Sequence, residues 1–169
     1  TFTGLGGDIT DGSLGMATFA AAGSGTATIT VSGGVNAFHA NATFSSPTLV
    51  DVANGAYFSF HNNLAGGAPL TKSGLGTLNL TGDNDTLSGN LFITSGLVTI
   101  GVGMNQIGTG TTTLTGGATI DLGGQSFTDQ IVVLDGTILN AGGTATTTSI
   151  LGPATIDGSA QGTYTIAST

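Results

Sequence analysis

The sequence predicts an all-β chain wound as a β-solenoid of about 20 residues per coil, and two observations predict it. The first is repetition. Gly76-Thr-Leu-Asn-Leu, Gly96-Leu-Val-Thr-Ile, Gly117-Ala-Thr-Ile-Asp-Leu, Gly136-Thr-Ile-Leu-Asn-Ala and Pro153-Ala-Thr-Ile-Asp-Gly are five versions of one segment, starting at near-regular intervals. A short alternating strand recurring at such a period is one coil of a stacked array. The second is composition. The 169 residues include 31 Gly and as many Thr. Gly costs backbone entropy in a helix and Thr loses rotamer freedom there, whereas both suit strands joined by tight turns.

Side chains alternate faces along a strand. Leu78, Val98, Ile120, Leu139 and Ile156 therefore read as an inward column, and Asn79, Thr99, Asp121, Asn140 and Asp157 as an outward one. Strands are also expected at Thr26–Ser32, Val35–Phe44, Thr48–Val52 and Ala56–Phe60. Within the first, Ala27, Ile29 and Val31 face in. Phe38-His-Ala-Asn and Phe60-His-Asn-Asn are again separated by about one coil.

A seam falls near Gly66-Gly67-Ala68-Pro69. Residues 1–68 carry six of the eight Phe and both His; residues 69–169 carry the regular repeats. The N-terminal region reads either as irregular, more aromatic coils of the same solenoid or as a separate cap.

Charge narrows the partners. Net charge is −8, all nine acids are Asp, and Lys72 is the sole Lys or Arg. Nucleic-acid binding needs basic side chains to displace phosphate counterions, so that class is excluded. No apolar run is long enough to span a bilayer, and no Cys is present for disulfides or thiolate metal sites. The start at Thr1, without Met, reads as the mature part of an exported protein.

Leu70-Thr-Lys-Ser-Gly-Leu-Gly-Thr-Leu-Asn-Leu-Thr-Gly-Asp-Asn, followed by Leu87-Ser-Gly and Gly96-Leu-Val-Thr-Ile-Gly, resembles the passenger-associated repeat of autotransporter-type surface proteins. The pattern of that family runs L-x-K-x-G-x-G-T-L-x-L-x-G-x-N, then Y-x-G and G-x-L-x-V-G. Lys72, Gly74, Gly76, Thr77, Leu78, Leu80, Gly82, Asn84, Gly89 and Gly96 are in register; Leu87 replaces the Tyr, and one extra residue separates Asn84 from Gly89. The resemblance covers Leu70 to Gly101. It implies a right-handed parallel β-helix, exported and displayed outside a bacterial cell, and it implies no particular activity.

Few residues carry site chemistry. Asp83-Asn84-Asp85 resembles half of a calcium-binding nonapeptide, since carboxylates two apart in a turn supply hard oxygens. The competing reading is a turn rich in Asn and Asp, and Asp8 and Asp11 carry the same pair of readings. His39 and His61, one coil apart, reach a shared metal if stacked, with Asn41 and Asn63 alongside; a surface His ladder is the alternative. Lys72 suggests an amide cross-link only beside a carboxylate catalyst. A carboxylate pair at Asp121 and Asp157, two coils or about 10 Å apart, is wide for glycoside chemistry. Thr-x-Thr recurs without one-coil spacing, which makes a lattice-matching face ragged. No catalytic residue and no required cofactor is expected, calcium being the one candidate ion.

The chain therefore reads first as a structural, extracellular solenoid: a self-assembling subunit or segment of a bacterial surface fibre, stalk or filament. Thr163, Tyr164, Thr165 and Ile166 form the expected assembly edge for a homo-oligomer or homopolymer. The alternative is an adhesin-type passenger that binds glycan or a host surface, with Tyr57 or Phe58 exposed in a groove. A polysaccharide-active enzyme is the third reading. No nucleic-acid partner and no membrane insertion is expected.

Overall fold

The computed structural model describes residues 2–4, 7–9, 16–82, 86–101, 107–140, 144–156 and 161–166; within these, 2–4, 7–9, 126–129, 144–148 and 161–166 are described by backbone path alone. The chain is a right-handed parallel β-helix, and no helix occurs among the described residues. Each coil passes through two or three faces, and each face stacks into a parallel sheet.

The first sheet is nine strands deep: Phe2–Gly4, Ala27–Val31, Thr48–Val52, Leu70–Ser73, Leu91–Ile93, Thr112–Leu114, Ser126–Val133, Thr144–Ile150 and Gln161–Ile166. The second holds Gly7–Ile9, Val35–Phe38, Tyr57–Phe60, Thr77–Leu80, Leu97–Ile100, Ala118–Asp121, Gly136–Leu139 and Ala154–Ile156. A third, four-stranded sheet comprises Met16–Phe19, Asn41–Phe44, Leu64–Gly66 and Thr86–Leu87. All the pairings are parallel, so every strand donates to and accepts from the coil above or below rather than from a hairpin partner.

The coils narrow along the axis. In the first sheet Thr48 has Leu70 as its Cα partner on the next coil, and Leu70 has Leu91. Further on, Thr112 is matched with Ile131 and Thr148 with Tyr164, so the later steps along the chain are shorter than the earlier ones. The third sheet explains the change. Thr109 N–H still donates to the Leu87 carbonyl at 2.9 Å, but no described residue adds a further strand there. A coil with two faces closes with fewer residues than one with three.

Side-chain size follows the same taper. Phe38, Phe44, Phe58 and Phe60 are buried between three faces, with half-buried Phe19 packed against them. The Phe60 ring lies 5.0 Å from Phe58 and 5.6 Å from Phe38, both edge-on. Close packing requires large side chains where the interior is wide. Towards the C-terminus Leu, Ile and Val suffice: Leu114, Ile120, Ile131, Val133 and Ile138 fill the narrower space. The sheets and the core run through 66–69 without interruption, since Leu64, Leu70 and Leu78 belong to one buried cluster.

Two expectations about register are corrected. Val35–Phe44 is two strands, split by a corner at His39-Ala40. The columns also slip by one residue: Ile120 pairs with Ile138, and Asp121 with Leu139. Leu139 is therefore the outward, half-buried residue, while Asn140 points in and is fully buried. The cause is the turn before Ala118, where Gly116 and Gly117 both take positive φ and absorb one extra residue. Thr119, Thr137 and Thr155 are in turn Cα partners on successive coils, so part of the threonine does fall at one-coil spacing, in a single outward file.

Candidate functional site

Lys72 sits where sequence habit places an exposed residue and the fold places a core one. It is the third residue of Leu70–Ser73, and its Cα partners are Val50 and Ile93. Lysine is rarely buried without partners, yet this side chain has no exposed surface. Its ammonium reaches the corner that joins the first sheet to the second. There Nζ donates to the carbonyls of Ser73 and Gly74 at 2.7 Å each and of Ser95 at 3.2 Å. Ser73 and Gly74 lie in one coil and Ser95 in the next, so a single cation ties two stacked corners together.

The surrounding residues make room for it. Gly74 and Gly96 hold φ of +73° and +72°, a left-handed geometry that costs a side-chain-bearing residue energy. A Cβ on Gly96 would lie 2.4 Å from the Gly74 carbonyl oxygen and 2.9 Å from the Lys72 Nζ. A Cβ on Gly76 would meet the Ala53 oxygen at 2.2 Å. The K-x-G-x-G-T-L-x-L pattern thus has a physical meaning: an inward lysine, a left-handed corner, a close backbone approach, then a strand.

Asp51 lies on the outer side of the same corner, on the coil before. Ser73 donates its hydroxyl to Asp51 Oδ1 at 2.7 Å. Burial pushes the Lys72 ammonium down from its ordinary 10.5 to about 8, and the Asp51 carboxylate opposes part of that fall. All three hydrogen-bonded partners of Nζ are backbone carbonyls.

The two histidines do come together. Phe38 and Phe60 are Cα partners, so His39 and His61 leave the same corner on successive coils. Their rings stack at 4.5 Å with an interplanar angle of 23°. Asn62 Nδ2 donates to the His39 carbonyl, and Asn63 N–H donates to Asn41 Oδ1 at 3.2 Å.

The remaining candidates either lie outside the described residues or stand apart from one another. Asp83, Asn84, Asp85, Asp11 and Asp157 lie outside the described residues; Asp8 is on Gly7–Ile9, paired with Ala37. Asp121 Oδ1 accepts from Gly123 N–H at 2.9 Å and so caps its own turn. Asn140, expected on the outer face beside it, is inside, where Nδ2 donates to the Gln125 carbonyl at 3.2 Å and Oδ1 has no partner among the described residues. Phe58 is core, while Tyr57 is half-buried on the outer face between Val35 and Thr77. Thr163, Tyr164, Thr165 and Ile166 form part of the strand Gln161–Ile166, which pairs with Thr144–Ile150. Among the described residues no group of three or more His, Cys, Asp or Glu is placed to hold a metal ion.

Sequence reasoning had no signal for the burial of Lys72 except its neighbours in register, Val50 and Ile93. A shallow depression lined by Gly117, Asp135, Thr137, Pro153 and Thr155 on the second sheet had none at all. No family model, no curated protein and no solved structure matches the chain.

Proposed function

We propose that the chain is a structural β-solenoid, exported by bacteria, that serves as a subunit or segment of a surface fibre, stalk or filament by stacking coil on coil. The observation that carries this reading is the corner at Lys72: the chain's single Lys or Arg is committed to backbone carbonyls of two successive coils. The side chain is used for stacking. The resemblance of Leu70–Gly101 to the passenger-associated repeat of autotransporter-type surface proteins supports the same reading and adds the extracellular setting.

Stacking extends by the rule that builds the coils. Gln161–Ile166 pairs on one side with Thr144–Ile150, and parallel addition of another strand to its other side continues the first sheet, whether that strand comes from the same chain or from a second copy. Proline within this strand removes a backbone donor and blocks addition. Sedimentation of the chain against a Tyr164→Pro variant, whose lost N–H faces the open edge, tests the proposal. The unaltered chain grows in mass with concentration and the variant does not; one mass for both at every concentration contradicts self-assembly.

One observation favours the adhesin reading. Tyr57 stands in the outward column Val35–Tyr57–Thr77–Leu97, where an aromatic ring meets a sugar face or a partner strand. A glycan-binding screen that loses its signal in Tyr57→Ala supports this second reading, and a screen without signal removes it.

A further inference from the structure

We propose that His39 and His61 form a two-imidazole chelate for a divalent cation of the Cu²⁺, Ni²⁺ and Zn²⁺ class. The ladder supplies the preorganisation. His61 N–H donates to the Phe38 carbonyl at 3.0 Å, which places the two histidines one above the other at the same corner. Their rings are 4.5 Å apart and 23° from parallel. His61 is exposed and His39 half-buried, so water and ions reach the pair.

Metal–nitrogen bonds of about 2.0–2.1 Å bring two imidazole nitrogens to roughly 3 Å from each other. Imidazole lone pairs lie in the ring planes, so each ring turns out of the stack about its side-chain torsions to aim a nitrogen at the shared ion, a rotation that leaves the backbone ladder intact. Water completes the coordination on the open side. The corner beneath is held by Asn62, which donates to the His39 carbonyl, and by the pairing of Asn63 N–H with Asn41 Oδ1.

Charge and donor type select the ion. The chain carries a net charge of −8, and its sole Lys or Arg is buried at a different corner, so the surrounding field attracts cations. Two neutral nitrogen donors favour Cu²⁺ over Ni²⁺ and Zn²⁺, whereas Ca²⁺ takes oxygen ligands.

The test uses the intact chain. These are its only two histidines, so their imidazole resonances are identified without any variant. Sub-stoichiometric Cu²⁺ is expected to broaden both resonance sets together, and Ca²⁺ to leave them unchanged. Electron paramagnetic resonance of the Cu²⁺ form is expected to show two equatorial nitrogens. His39→Asn and His61→Asn each lower Cu²⁺ affinity by at least about tenfold, the loss that removal of even a supporting group brings. Broadening of one set or neither overturns the chelate, as does one equivalent of Cu²⁺ retained at full affinity by both variants.

Discussion

The Nζ of Lys72 and the Cα of Gly96 sit on adjacent coils so closely that a Cβ on Gly96 would lie 2.9 Å from the ammonium nitrogen. The lysine crosses from one coil to the next through the space that a glycine leaves open. The consequences of this pairing can be measured.

Gly96→Ala must find room for a methyl group 2.4 Å from the Gly74 oxygen and 2.6 Å from the Gly76 oxygen, both backbone atoms. The left-handed geometry alone costs about 1–2 kcal/mol. Gly55→Ala is the control, because φ there is +76° and nothing lies within 4 Å. Urea midpoints are expected to fall modestly for Gly55→Ala and by clearly more for Gly96→Ala. Equal losses would mean that the corner is not tightly stacked.

Lys72→Met keeps the length of the side chain and takes the lysine donor from the Ser73 and Ser95 carbonyls, while the Gly74 carbonyl keeps a long bond from the Ser95 hydroxyl. Unpaired polar groups cost on the order of 1–3 kcal/mol each when buried; these corner carbonyls are half-buried, so the low end applies. A net loss of stability at neutral pH is expected in chemical denaturation, and a gain would contradict the bridging role.

The same lysine sets a pH dependence. Its folded value is about 8 and its ordinary value 10.5, so between these the unfolded chain binds more protons. Stability linked to Lys72 therefore rises with pH across that window and is lost as pH falls through about 8. Thermal melts from pH 7 to 10.5 should show the unaltered chain gaining on Lys72→Met. A constant difference between the two would place the amine in water.

Phe60 joins the rings of Phe38, Phe44 and Phe58, with Phe19 at 6.5 Å. Phe60→Ala empties the widest part of the core, and such truncations cost about 3–5 kcal/mol. Ile138→Val, in the narrow two-faced coils, costs about 0.5–1.5 kcal/mol. Comparable losses at the two positions would argue against a tapering core.

Asn140 gives a prediction of opposite sign. Its Oδ1 is buried with no partner among the described residues, and Leu122 on the coil before donates its N–H to the adjacent Leu139 carbonyl. Asn140→Leu relieves that unpaired acceptor at the expense of one long hydrogen bond to the Gln125 carbonyl. A rise in stability on the order of 1 kcal/mol is expected, read as a higher urea midpoint.

Much of this architecture was legible because stacking and alternation both leave marks in sequence. Thr77-Leu-Asn-Leu and Leu97-Val-Thr-Ile pair as read, on successive coils, and Ala27, Ile29 and Val31 face in as their alternation requires. Register failed where glycine turns changed length. The double glycine at 116–117 takes up one residue, and that slip turns Asn140 inward. The corner inside Val35–Phe44 was hidden because apolar residues recur on both sides of it; the matching Phe38-His and Phe60-His pairs mark the bend. The burial of Lys72 was invisible in its own residue type and depends on a column of partners, Val50 and Ile93, that exists only once the coils are stacked.

Electron microscopy of the assembled chain tests coil-on-coil stacking most directly. Nine strands spaced about 4.8 Å apart predict filaments with an axial subunit repeat of about 40 Å, the strands lying across the filament axis. Filaments with a repeat unrelated to the stack height, or dispersed single rods at every concentration, would contradict it.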